Sequence, residues 1–194
     1  IRAEALAAHG FVVVSADYRL LGDAPWPAQL EDSQAWIRWI RANAADLGVS
    51  PLRVAVLGCS AGGHLALLCG RSRSDHDETR PSAIIAMYPP TELGAESQTM
   101  LLGADADPAL VDDASPMAHV SPEFPPTLFV HGLADSMVPP ASSQRMHEAL
   151  VAAGAPSELH LFEGQKHEFE SAPTYASVVQ HLVESTPQCS VLLV

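Results

Sequence analysis

The sequence predicts an α/β domain built on a mostly parallel sheet with helices on both faces. Three observations carry this. Short runs rich in apolar residues recur at 11–16, 53–57, 82–88, 127–130 and 158–162, as expected of the strands of a largely buried sheet. Segments of mostly helical spacing alternate with them, at 28–47, 61–73, 141–154 and 174–184. No internal repeat or low-complexity linker interrupts the alternation, so residues 1–194 read as one domain.

Taken in order, the chain opens on a short amphipathic helix stopped at Gly10, and the first strand, 11–16, leaves the sheet at Asp17-Tyr18-Arg19-Leu20. After a loop containing Pro25 and Pro27, the residues Leu30, Trp36, Ile37, Ile40 and Leu47 mark a helix that Gly48 ends. Trp36 and Trp39 read as anchors of that helix to the sheet, not as ligand stackers. Strand 53–57 runs into Gly58-Cys59-Ser60-Ala61-Gly62 and a helix to about residue 73. The polar loop 71–80 carries His76, which has no second metal ligand at helical spacing and reads as solvated surface.

Strand 82–88 is closed by Pro89-Pro90. Residues 91–126 are long, acidic and irregular, with short helices expected around 97–102 and 108–113; a segment of that size in a compact domain reads as a lid or a substrate-binding insertion. Strand 127–130 ends in His131-Gly132-Leu133-Ala134-Asp135, the helix 141–154 carries Met146, Leu150 and Val151, and strand 158–162 is followed by Glu163-Gly164-Gln165-Lys166-His167.

Charge and composition narrow the partners. A net charge of −13, from 23 acidic against 10 basic residues, argues against nucleic acid or an anionic membrane surface and suits a neutral small molecule. No apolar run approaches the roughly 18 to 20 residues of a membrane span. Three cysteines cannot all pair, and one lies beside Ser60, so reduced thiols are expected and with them a cytoplasmic setting.

The chemistry centres on Gly58-Cys59-Ser60-Ala61-Gly62, a Gly-x-Ser-x-Gly sequence between a buried strand and a helix, as a nucleophile elbow requires. Glycines two residues either side of the serine suit a tight turn where side chains would collide. A serine hydroxyl needs a base to take its proton and a carboxylate to fix that base's tautomer. Asp135 and His167 follow later strands in the order Ser, acid, His. His147 and His181 fall in expected helices, His160 within a strand, and His131 before the acid, which leaves His167 as the base. The backbone N–H of Ala61, at the start of the helix, is aimed where a tetrahedral oxyanion would form.

These residues, with Asp17-Tyr18-Arg19-Leu20, Pro27-Ala28, Gly62-Gly63-His64-Leu65, Ala114-Ser115-Pro116, Ser121-Pro122 and Val138-Pro139, resemble the α/β-hydrolase esterases of the hormone-sensitive-lipase-like and feruloyl/acetyl-xylan-esterase-like kind. The resemblance implies an α/β-hydrolase fold and a serine carboxylesterase. Ser60 is then the nucleophile, Asp135 the orienting acid and His167 the general base. The implied reaction uses a small-molecule acyl ester, an acyl-enzyme intermediate, and neither metal nor organic cofactor. A serine peptidase or arylformamidase on the same fold, and a non-catalytic binding protein of that fold, are the alternatives. Hormone-sensitive-lipase-like members usually carry Asp where this chain has Cys59. The family's His-Gly-Gly oxyanion loop and the strand before it are not in the sequence, which predicts an incomplete polypeptide with a gap between strands 11–16 and 53–57 unless those two close up. The apolar tail 190–194 reads as an extra strand or as no part of the fold.

Overall fold

The computed structural model describes residues 3–71, 78–169 and 191–193. Among them, the strands β1 (Val12–Val14), β2 (Val54–Cys59), β3 (Ala83–Met87), β4 (Thr127–Gly132), β5 (Ser157–Phe162) and β6 (Val191–Leu193) form one parallel sheet. Their spatial order is β1-β6-β2-β3-β4-β5. The helices are α1 (Ala3–Ala7), α2 (Ala28–Ala42), α3 (Ala44–Leu47), α4 (Ala61–Cys69), α5 (Ala95–Leu102), α6 (Pro108–Asp113) and α7 (Ala141–Ala153), with a 3-10 turn over Pro116–His119. The expected final helix, 174–184, lies outside the described residues, as do His76 and His181.

β2, β3 and β4 are largely apolar because alternate side chains enter two different cores, whereas the edge strand β5 is half-buried and carries Glu158 and His160. Val54 and Val56 join Ile84, Ala86 and Phe129 beneath α2, α4 and α7, which contribute Ile37, Ile40, Leu65, Leu68, Met146 and Leu150. Ala55 and Leu57 face the other way, with Ile85, Met87, Leu128 and Val130, under Leu6 of α1 and Phe169. Both cores stop at the carboxyl ends of the strands, where the loops carrying Ser60, Asp135 and His167 emerge. That is where ligands collect in open parallel sheets.

The centre of the sheet departs from expectation. β1 and β2 neither pair with each other nor stand apart, because β6 lies between them: Val191 is level with both Val12 and Val54, and Leu193 with both Val14 and Val56. The apolar tail therefore supplies the strand that the sequence otherwise lacks at that place. The helix expected over 28–47 also differs, breaking at Asn43 into α2 and α3. There the Arg41 guanidinium bonds the carbonyls of Pro51, Glu78 and Arg80 and ties the end of α2 to the approaches of β2 and β3. Trp36 anchors α2 as expected and donates to the Asp17 carbonyl at 2.9 Å, whereas Trp39 is 45% exposed and stacks edge-on against Trp36.

Candidate active site

The turn between β2 and α4 holds Ser60 at φ 52° and ψ −117°, outside the regions an L-residue prefers. Such strain, typically about 1–3 kcal/mol, persists only where the surroundings over-determine it. Here they do. The Ser60 N–H donates to the Met87 carbonyl at 2.9 Å, and the His64 N–H donates to the Ser60 carbonyl at 3.0 Å. A Cβ on Gly58 would lie 2.2 Å from the Gly62 carbonyl oxygen, so any side chain there forces the turn open. The second glycine that the geometry demands is Gly63, whose Cβ would meet Gly58 and Pro89 at 3.1 Å; the space around Gly62 is empty. Sequence reasoning assigned that demand to Gly62, because spacing alone does not show which way the first helical turn faces.

Asp135 and His167 arrive on two loops stitched together. The Leu133 N–H donates to the Phe162 carbonyl at 2.9 Å and the Ala134 N–H to the Gln165 carbonyl at 2.8 Å. A Cβ on Gly132 would lie 2.4 Å from Gln165, so that glycine permits the approach. The structure thereby brings all three side chains together: His167 Nδ1 is 2.7 Å from Asp135 Oδ2, and His167 Nε2 is 3.0 Å from Ser60 Oγ. With Nδ1–H donating to the carboxylate, Nε2 presents its lone pair to the serine hydroxyl. The Tyr88 ring, on a backbone at φ 39°, packs edge-on to the imidazole at a centroid distance of 4.5 Å.

Burial by itself raises the Asp135 pKa. The hydrogen bonds from His167 and from the N–H groups of Val138 and Met137 outweigh it and hold the carboxyl below its ordinary range. It stays ionised. The Ala61 N–H is the first of α4, one of those that no intrahelical carbonyl satisfies. Beside it opens a cavity of about 410 Å³ lined by Tyr18, Leu20, Trp26, Gln29, Ala61 and Leu101, mostly apolar. Trp26 Nε1 and Gln29 Oε1, on two of its lining residues, have no hydrogen-bond partner among the described residues. No cluster of three metal-ligating side chains occurs among the described residues, and no helix among them is long and apolar enough to cross a membrane.

The segment 91–126 is tied down at several points. Thr91 bonds Ser142 through both backbone and hydroxyl, Arg71 pairs with Asp113, and His64 Nε2–H donates to the Ala114 carbonyl at 2.7 Å. Burial pushes the His64 pKa down to about 4, against the opposing effect of that carbonyl, so His64 is neutral at pH 7. The unfolded chain binds the proton more readily, so stability is full above about 6.5 and declines as the pH falls toward 4, by on the order of 3 kcal/mol for a shift of this size. We expect the urea midpoint to fall between pH 7 and 4.5, and His64→Gln to flatten that decline. An equally steep decline in the variant would contradict this.

One residue of the site escaped sequence reasoning. His131 is fully buried, with Nε2 2.9 Å from the Val138 carbonyl and 3.2 Å from Asp135 Oδ2, and Nδ1 2.8 Å from Ser143 Oγ. The available signal was its position four residues before the acid, at the end of β4, the strand that delivers Asp135.

Comparison with known proteins fits this geometry. The BD-FAE family matches residues 2–150. Esterase LipC of Mycobacterium tuberculosis is 31% identical over 169 residues, which cover 76% of this chain and 42% of LipC. The chain thus spans less than half the length of that relative. Among solved structures, the acetyl ester-xyloside bifunctional hydrolase from Caldicellulosiruptor lactoaceticus superposes with a TM-score of 0.85 at 31% identity, over 96% of this chain and 76% of that one. Esterase 2 from Thermogutta terrifontis, phosphoramylated by tabun, gives a TM-score of 0.82 at 29% identity, over 95% and 75%. Structures of that esterase with propionate and with butyrate bound also match. The fold is the α/β-hydrolase fold.

Proposed function

This chain belongs to the BD-FAE family, and on that footing we propose that it is a serine-dependent carboxylic-ester hydrolase acting on small acyl esters through an acyl-enzyme. The observation that carries the reading is the continuous hydrogen-bond line from Ser60 through His167 to Asp135. Ser60 Oγ attacks the ester carbonyl as its proton passes to His167 Nε2. The new C–O bond leaves a tetrahedral oxyanion, which the Ala61 N–H stabilises; one such donor is worth about 2.7–4 kcal/mol. Collapse breaks the bond to the alcohol, which takes the proton back from His167. Water then attacks the acyl-Ser60 ester by the same proton route and frees the acid. Asp135 remains a carboxylate throughout, fixing the imidazole tautomer and stabilising the imidazolium.

The cavity of about 410 Å³ is at the small end of ligand pockets, and its Leu20, Trp26 and Leu101 suit an uncharged, short-chain group of the ester. Segment 91–126 acts as a substrate-binding insertion in this reading. Its α5 buries no residue of its own, yet contributes Leu101 to the cavity. Propionate and butyrate, the ligands of the Thermogutta esterase, are of that size. The test is hydrolysis of p-nitrophenyl acetate alongside p-nitroacetanilide. We expect release of p-nitrophenol and far slower cleavage of the anilide. Comparable rates on the two would favour an amidase or peptidase.

A further inference from the structure

We propose that His131 is a positioning residue for the Asp135 carboxylate, so that the site is a five-membered line, Ser143–His131–Asp135–His167–Ser60. The inference rests on the esterase reading above and extends it to two side chains outside the triad.

The direction of each bond follows from its neighbours. His131 Nε2 faces two acceptors, the Val138 carbonyl at 2.9 Å and Asp135 Oδ2 at 3.2 Å, so Nε2 carries the proton. Nδ1 then has only a lone pair, which accepts from Ser143 Oγ–H at 2.8 Å on α7. Ser143 and His131 are both fully buried, which removes water as a competing partner. Burial holds the His131 pKa below the imidazole range despite the nearby carboxylate, so the ring is neutral and donates without carrying charge.

The consequence falls on one oxygen. Asp135 Oδ1 accepts from Met137 and Val138 N–H at 2.9 and 3.0 Å, which fixes the plane of the carboxylate. Oδ2 is shared by His131 and His167, at 3.2 and 2.7 Å. The His131 donor draws off part of the negative charge that would otherwise hold a proton on His167, and it keeps Oδ2 turned toward His167. Through the Val138 carbonyl the same N–H also closes the loop that carries Asp135. The titratable groups meeting here are His131 from β4, Asp135 from the loop after it, His167 from the loop after β5 and the Tyr88 ring from the end of β3.

The test uses the kcat and kcat/KM pH profiles of His131→Leu, His131→Gln and Ser143→Ala, with Ser60→Ala as reference. His131→Leu removes the donor. It should lower kcat about 10-fold to 100-fold, as loss of a hydrogen bond to a charged group does, and raise the acid limb of kcat/KM by about half a unit to one unit as His167 gains carboxylate charge. His131→Gln carries an amide N–H where Nε2 stood and should restore most of kcat and the original limb. Ser143→Ala removes the bond that holds the His131 ring in place at Nδ1, and should move the limb the same way with a smaller loss in kcat. This variant carries the test if His131→Leu does not fold.

A purely structural role predicts loss of kcat with an unmoved or lowered limb and no rescue by glutamine. That result, or unchanged profiles in both His131→Leu and Ser143→Ala, overturns the assignment. A loss of hydrolysis under about tenfold in Ser60→Ala overturns the esterase reading itself, and His131 with it.

Discussion

On the proposed mechanism, Ser60→Ala is expected to lower kcat for p-nitrophenyl acetate by about four to six orders of magnitude while leaving KM and the unfolding midpoint nearly unchanged. The separation of the two effects follows from where Ser60 sits. Its backbone makes the structural contacts of the elbow, to Met87 and from His64, and alanine preserves both. Its hydroxyl bonds His167 Nε2 at 3.0 Å, a contact that matters only to chemistry. Relief of strain at φ 52° is not expected, because alanine is as constrained there as serine. The surviving rate comes from the Ala61 N–H and from substrate held in the cavity. A loss under about tenfold would mean that another group starts the reaction, since removal of a true nucleophile costs far more.

Removing residues 190–194 is expected to unfold the domain or leave it loosely packed. β6 is an interior strand, and its removal exposes two edges at once, along Val12–Val14 and Val54–Val56. On β2 the residues Val54, Ala55 and Val56 are 0–4% exposed, so their freed backbone groups cannot turn to water without disrupting both cores. Each buried group left unpaired costs about 1–3 kcal/mol, and a domain of this kind has only about 5–15 kcal/mol in total. Loss of even a few such bonds removes most of the margin. β1 would also lose its link to the sheet, and the loop after it carries Tyr18 and Leu20 of the cavity. Urea denaturation with circular dichroism checks this; an unchanged midpoint would show that β1 and β2 pair without β6. Leu192→Pro, which removes a ladder N–H from the middle of the strand, should act in the same direction.

Much of this architecture was legible because two physical patterns are local. Strands buried on both faces are short apolar runs, and those at 53–57, 82–88 and 127–130 correspond closely to β2, β3 and β4, while the half-buried edge strand β5 lies where 158–162 was expected. Ser60 was legible because an elbow needs glycine at fixed offsets, and Asp135 and His167 because each follows a strand in a parallel sheet, whose carboxyl ends lie together. What was not legible depends on contacts distant in sequence. β6 has three residues, and only its neighbours β1 and β2 give it a place. Chain order set His131 aside as a rival base, yet its packing against Ser143 and Asp135 makes it part of the site. The choice between Gly62 and Gly63 turned on which one faces Pro89, a residue on another strand's loop.

A Ser60 nucleophile activated by His167 should react with a fluorophosphonate, and peptide mass spectrometry of the treated protein locates the adduct. The Thermogutta esterase, which shares this fold, is phosphoramylated by tabun. One adduct is expected, on Ser60, formed rapidly in the native protein, slowly in His167→Ala and not at all after denaturation. Folded protein that stays unlabelled, or carries its label on another residue, would contradict it.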